Sequence, residues 1–589
     1  MSVISYTFPA AAICFVILLF LGLRREALLP PPQCVQRHGV LPILVITAVY
    51  AVAAFCNLGS AAAPQSFCAL ERGGSATLTL PETEAIGSIL YYTGLGTGDY
   101  TVALSTDGET YTDVGTMPQQ YADLFKWKYA EFDDGADLTA RYVRITAHGG
   151  TELGEVAVYR ADGTKIDVSA DDAALLDEQS LVPDAPDWRN STYFDEIYHA
   201  RTAYEHLRGV QPYEVSHPPL GKLILSLGIA LFGMTPLGWR FMGTLFGVLM
   251  LPVLWDFLRR LFHDDRIAVC GTLLFAFDFM HFTQTRIATI DTYAVFFILL
   301  MYLFLYRYFT EGKLRHLGLS GLFFGVGTAC KWTCLYAGAG LGVLWLLHWI
   351  FRGVEDVRAG EGRAFTRALL GNIGFCLVFF VALPCCIYYV SYTPYATAAG
   401  LRGAGMYFTR DYFDIVWENQ KFMFTYHAGL EATHPYSAPW WQWLFDVRPI
   451  LYYLEYGDGN TVSTIAAFVN PLLCWAGLLS LPVLGYQAVR QRDRRALFLL
   501  IGYLAQVLPW VFISRITFEY HYFPATVFLV LGLCNVFDLL RRRGKLGSVY
   551  CFTAVCLALF LAYYPALSGL PMSRNYAWYF LKWFPSWPF

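Results

Sequence analysis

Long apolar windows recur along this 589-residue chain, and between them short basic runs fall at alternate gaps. Windows of about 17–25 apolar residues are long enough to cross a bilayer as helices. They fall near 7–23, 41–58, 237–260, 267–284, 289–309, 317–332, 334–351, 368–391, 463–486, 496–513, 522–540 and 547–566, about twelve by that length criterion. The basic runs are Arg24, Arg25 and Arg37; Arg259 and Arg260; Arg307, Lys313 and Arg315; Arg352, Arg358, Arg363 and Arg367; Arg490, Arg492, Arg494 and Arg495; and Arg541, Arg542, Arg543 and Lys545. All of them land on one side of the alternation, which the positive-inside rule makes cytoplasmic. The expected fold is a polytopic α-helical membrane protein with both termini outside. Loops this regular argue for topology, not for a nucleic-acid partner. The first window precedes Arg24 and Arg25 instead of following basic residues, the reverse of a signal peptide, so a retained span is expected there.

Two long segments then lie outside, at about 59–236 and 392–462. Residues 61–190 hold 22 acidic and 8 basic side chains, while the rest of the chain has a basic surplus. Within the first segment, runs such as Ser75-Ala76-Thr77-Leu78-Thr79-Leu80, Tyr100 to Leu104 and Arg141 to Ile145 alternate apolar and polar residues. The turn formers Asp107-Gly108 and Asp162-Gly163 separate them, so residues 64–168 read as an inserted extracytoplasmic β-sandwich. The strings Tyr100 to Thr112, Ala140 to Ile145 and Gly154-Glu155-Val156 resemble a discoidin, or galactose-binding-like, module. That resemblance leaves glycan binding and a spacer role both open. The organisation expected is two spans within 1–63, the module at 64–168, an acidic linker and first outer loop at 169–236, and a helical core at 237–589. The apolar stretch Leu220 to Met234 is marginal in length. As a span it would invert every later loop, so it reads as an interfacial helix. The 14 Cys lie mostly in apolar stretches and form no CxxC or disulfide pattern.

Ionisable residues at hydrocarbon level are costly and mark function. Asp195, Glu196, His217, Lys222, Arg240, Arg286, Asp291, Lys331, Arg515 and His521 all fall at outer ends of spans in this topology. Together they would line an outward-facing cleft suited to an anionic lipid donor. A carboxylate there can take the proton of a hydroxyl, and Arg and Lys can neutralise a phosphate leaving group. Blander readings exist: Arg286 and Asp291 could pair to anchor a span end, and Lys331-Trp332 could snorkel in an aromatic belt. Asp195, Glu196 and Asp291 could in principle hold a divalent ion, although no cofactor is demanded.

Seven strings recur in order over residues 190–540: Phe194-Asp195-Glu196, His217 to Lys222 ("HPPLGK"), Arg286 to Phe297 ("RIATIDTYAVFF"), Lys331-Trp332, His434 to Arg448 ("HPYSAPWWQWLFDVR"), Asn470-Pro471, and Pro509-Trp510 through Arg515 to Pro524 ("RITFEYHYFP"). They resemble the protein O-mannosyltransferase family, enzymes of the GT-C fold that use dolichyl- or polyprenyl-phosphate-mannose. The resemblance implies inverting transfer of mannose from a lipid phosphate to Ser or Thr hydroxyls of exported proteins. It implies Asp195 as general base, Glu196 as the adjacent acceptor-side carboxylate and Arg240 as an arginine needed for activity. For His217, Lys222, Arg286, Asp291, Lys331, Arg515 and His521, contact with the lipid phosphate or sugar is our expectation. The second outer segment is too short for the β-trefoil of eukaryotic members, and the module at 64–168 stands in the first instead. This points to a bacterial plasma-membrane enzyme acting on the extracytoplasmic face. The inserted module leaves the acceptor open between protein and an envelope glycan or lipid. A transporter of lipid-linked sugars would want mid-membrane charges and internal repeats, neither of which is evident.

Overall fold

The structure is a computed structural model that describes residues 39–132 and 138–589. The expected span at 7–23 lies outside the described residues. The chain divides into two compact units. A two-sheet unit comprises Asn57–Tyr213 and Ile224–Met242; a helical unit comprises Glu214–Leu223, Gly243–Phe589 and the described residues up to Cys56.

In the two-sheet unit every strand pairing is antiparallel. One sheet runs in the order Cys68–Leu70, Thr151–Tyr159, Ser88–Gly96, Trp127–Glu131, with Lys165–Ile166 beside Thr151–Tyr159. The other runs Ser169–Ala170, Ser75–Ala85, Thr139–Ala147, Tyr100–Ser105, Thr112–Met117. The period-two pattern decides which side chains face in. Ala76, Leu78, Leu80, Tyr100, Val102, Leu104, Val143 and Ile145 share one core, while Thr77 and Thr79 face away from it. Gly108, at φ +81°, makes the turn after Asp107, whose Oδ1 accepts the N–H groups of Glu109 and Thr110. The expected acidic linker is built differently from a solvated tether. Ser169 and Ala170 pair with Thr79 and Leu78, Leu175 is buried in the core, and Glu178 accepts the N–H groups of Gln65 and Ser66. Apolar residues spaced among the acids anchor it.

Among the described residues, eight helices are long and apolar enough to cross a membrane: Pro236–Phe262, Asp291–Glu311, Thr333–Arg358, Gly362–Ala398, Pro471–Gln491, Arg494–Phe512, Glu519–Arg542 and Leu546–Ser568. Three other windows give shorter helices, Leu41–Phe55, Asp265–Ala276 and Leu314–Cys330. The window at 267–284 is interrupted at Asp278. One oxygen of Asp278 caps Phe279–Gln284 by accepting the His281 N–H at 3.1 Å, and the other accepts the Asn470 N–H at 2.8 Å. Leu220–Phe232, at 13 residues, is too short to span. The segment 392–462, expected outside, is not an open loop. It carries a 20-residue helix, Arg410–Gly429, and the strand Ile450–Gly457, which pairs with Thr461–Ala467.

Candidate active site

The two neighbouring acids have opposite surroundings. Phe194 takes a left-handed φ of +48°, a strained conformation for an aromatic residue, and the chain then enters the helix Glu196–Arg208 with Asp195 at its N-cap. Asp195 is half-buried and its carboxylate makes no capping bond. Glu196 is fully buried. Its Oε1 accepts Arg240 Nε at 2.7 Å, and its Oε2 accepts Arg240 Nη2 at 2.7 Å and the Trp239 indole N–H at 3.1 Å. Arg240, also fully buried, donates as well to the carbonyls of Leu58 (3.0 Å) and Ser191 (3.1 Å). This two-pronged pair pins the start of helix Pro236–Phe262 to the turn that presents Asp195. A Cβ on Gly59 would lie 2.7 Å from Arg240 Nη1, so only glycine leaves room for the guanidinium there.

In the helical unit the family strings meet as a cationic cluster. Lys222, fully buried, reaches the Glu214 carboxylate and donates to the Glu214 carbonyl at 2.6 Å. His217 Nδ1 lies 3.2 Å from Glu214 Oε1. Burial pushes His217 below the usual histidine range, Lys331 and Lys222 add to this, and Glu214 opposes it. Lys331 pairs with Asp291 at 2.7 Å, both buried, and sits 5.7 Å above the Tyr520 ring. Arg515 and His521 complete the cluster electrostatically, and the His521 ring lies 5.9 Å from Trp443 and 4.5 Å from Trp510. Arg515 has no ion pair within 4 Å among the described residues.

Gly221 lets these strings close up. A Cβ there would stand 2.8 Å from Ile290 Cγ2 and 3.5 Å from the Cys330 carbonyl, beside Asp291 and Lys331. Gly221→Ala is expected to destabilise the protein by about 1–3 kcal/mol through overpacking. Thermal unfolding in detergent checks this, and an unfolding midpoint equal to the parent's would show that the contact has room to give.

Of the residues singled out from sequence, the structure gathers His217, Lys222, Asp291, Lys331, Arg515 and His521 in the helical unit. Asp195, Glu196 and Arg240 belong to the two-sheet unit. Arg286 also belongs to the helical unit, where it donates to the carbonyls of Ala54 (3.0 Å) and Cys56 (2.9 Å), closing the C-terminus of helix Leu41–Phe55. Asp291 pairs with Lys331, not with Arg286, and Lys331 does not snorkel. Of the three acids considered for a divalent ion, Glu196 pairs with Arg240 and Asp291 with Lys331. A close acidic group among the described residues is formed by Glu155, Asp177 and Glu178. There Glu155 accepts the Glu178 N–H at 3.0 Å. Sequence reading missed Glu214, three residues before His217, and His427, on the unexpected helix Arg410–Gly429. It also missed Asp446, in the "FDVR" string, whose carboxyl accepts the Val469 N–H at 3.2 Å and is pushed up to about 7 by burial.

Comparison with known proteins adds two family models. One, described as dolichyl-phosphate-mannose-protein mannosyltransferase, matches residues 216–352; the other, the C-terminal four-transmembrane region of protein-O-mannosyltransferase, matches 412–587. The polyprenol-phosphate-mannose–protein mannosyltransferase of Mycolicibacterium smegmatis is 27% identical over 458 residues, 67% of this chain and 87% of the relative. Its namesake from Mycobacterium tuberculosis is 28% identical, over 67% of this chain and 86% of the relative. The Saccharomyces cerevisiae protein O-mannosyltransferase Pmt1–Pmt2 complex, bound to the sugar donor, is similar in fold, with a TM-score of 0.58 at 14% identity. The match covers 68% of this chain and 89% of that one.

Proposed function

We propose that this chain, a multi-pass membrane glycosyltransferase of the protein O-mannosyltransferase family, moves mannose from a polyprenyl-phosphate carrier to Ser or Thr hydroxyls of exported proteins. The observation that carries the reading is the unequal state of the two acids. Glu196 is neutralised by Arg240, whereas Asp195 stands half-exposed at a strained helix start. Asp195 takes the proton of the acceptor hydroxyl. The hydroxyl oxygen attacks the anomeric carbon from the side opposite the phosphate, so the configuration inverts. The bond from that carbon to the phosphate oxygen breaks, and its electron pair leaves with the lipid phosphate. The leaving group thereby gains one negative charge, which suits the cluster of Lys222, Lys331 and Arg515. Arg515, with no ion pair within 4 Å among the described residues, is the natural first partner. No nucleotide takes part, and no step is routed through a metal ion. The chemistry takes place on the extracytoplasmic face of the plasma membrane.

The test is an in vitro assay with polyprenyl-phosphate-mannose and Ser/Thr peptides. Mannosylated peptide of inverted anomeric configuration is expected. Preference for another lipid-linked hexose, or retention of configuration, would overturn the reading.

A second reading exchanges the acceptor for an envelope glycan. It is favoured by a polar groove of about 550 Å³ on the two-sheet unit, lined by Asp107, Glu109, Tyr111, Tyr142 and Asp171. Acids beside aromatic rings suit sugar hydroxyls and sugar faces. Mass spectrometry of secreted proteins and envelope glycans from a deletion strain separates the two acceptors.

A further inference from the structure

We propose that His427 is a further contact for the donor phosphate and that it takes up a proton when the anion binds. This rests on the reading that the cationic cluster of the helical unit holds the lipid phosphate.

His427 sits in the last turn of helix Arg410–Gly429. Its Nε2 lies 2.8 Å from the Ser216 carbonyl, in the loop that also carries Glu214 and His217. A carbonyl only accepts, so Nε2 holds the proton and the lone pair of the neutral ring is on Nδ1. Nδ1 is buried and has no hydrogen-bond partner among the described residues. A buried acceptor left unmatched is costly, and a ligand that brought it a hydrogen bond would relieve that cost. The ring lies 5.3 Å from that of His217, 5.4 Å from Tyr426 and 6.3 Å from Trp332.

The charged groups around it explain its protonation state. Burial lowers the affinity of His427 for a proton, and His217, Arg515 and Lys331 lower it further, to about 4. Opposing them, Glu214 is held by Lys222 and His217, and Asp291 by Lys331. His521, from the segment after Arg515, is also within electrostatic reach of Lys331 and His217. The ring is therefore neutral at pH 7 while the cluster is empty of anion. A phosphate oxygen facing Nδ1 would set two acceptors against each other. A proton between them turns that repulsion into a charge-assisted hydrogen bond, and the phosphate charge raises the proton affinity of the ring that receives it. Proton uptake and phosphate binding are thus one event.

The donor itself is a suitable probe. As a phosphodiester it stays singly ionised through the neutral range, so any proton taken up belongs to the protein. The experiment titrates polyprenyl-phosphate-mannose into the full chain in nanodiscs, without acceptor, in buffers of different ionisation enthalpy. Uptake approaching one proton per donor is expected at pH 7. Affinity is expected to fall by about tenfold per pH unit above neutrality, the slope that one linked proton gives. His427→Gln keeps a donor for the Ser216 carbonyl but cannot be protonated. It is expected to abolish the uptake, flatten the pH dependence and bind about 10–100-fold more weakly at pH 6.5, the loss of one charged hydrogen bond. Undiminished uptake in His427→Gln would overturn the assignment. Arg515→Ala and Lys331→Ala identify the other failure: if both bind donor as the parent does, the cluster does not hold the phosphate. If they bind weakly while His427→Gln still takes up its proton, only the role of His427 falls.

Discussion

Asp195→Asn is expected to cut mannosyl transfer by about 10²–10⁴-fold, the usual effect of losing a general base. The amide is the same size as the carboxylate and keeps its hydrogen-bonding oxygen, so folding should be unaffected. Unfolding temperature and donor affinity should match the parent, with the loss confined to kcat. A purified Asp195→Asn protein that turns over at the parent rate would place the base elsewhere. A variant that loses activity only because it unfolds would show the residue to be structural, as its neighbour is.

That neighbour and its partner give the second large effect. Arg240→Ala strands the Glu196 carboxylate in a fully buried site, and Glu196→Ala strands the guanidinium. Breaking such a pair from one side costs about 3–5 kcal/mol, because the remaining charge has nowhere to go. Both variants should therefore be inactive, expressed poorly and protease-sensitive around residues 188–210. An Arg240→Ala protein of normal stability that merely needs more donor would instead make Arg240 a phosphate contact. Replacing both together, as Glu196→Leu with Arg240→Met, removes the stranded charge. The double variant is expected to recover stability relative to either single change.

Much of this architecture is written in local pattern. Strands such as Ser75–Ala85 follow from alternation, and eight long helices follow from apolar windows bounded by basic loops. Capping is less visible. The window at 267–284 reads as continuous because a single Asp278 among apolar residues does not announce that it will cap a new helix and also bind Asn470. Asp195 and Glu196 are equivalent on paper. Their difference depends on Arg240, 44 positions away, and on a left-handed Phe194 that no composition suggests. The cationic strings were legible as strings, and their pairing was not: Lys331 chose Asp291 across 40 residues, and Arg286 turned to helix carbonyls. His427 lies outside every family string, on a helix whose exposed Phe413, Trp417, Phe422 and Phe424 blur any one-faced periodicity.

Glu214 is shared by the ammonium of Lys222, the imidazole of His217 and the N–H and hydroxyl of Ser216. Whatever removes the ammonium takes a repelling charge away from the imidazole, which then gains affinity for a proton. Part of the positive charge lost is thereby restored on the neighbouring ring. Electrostatically the loop behaves as a buffer, and the anion-attracting field it supports tolerates substitution at position 222 better in mildly acidic than in alkaline surroundings.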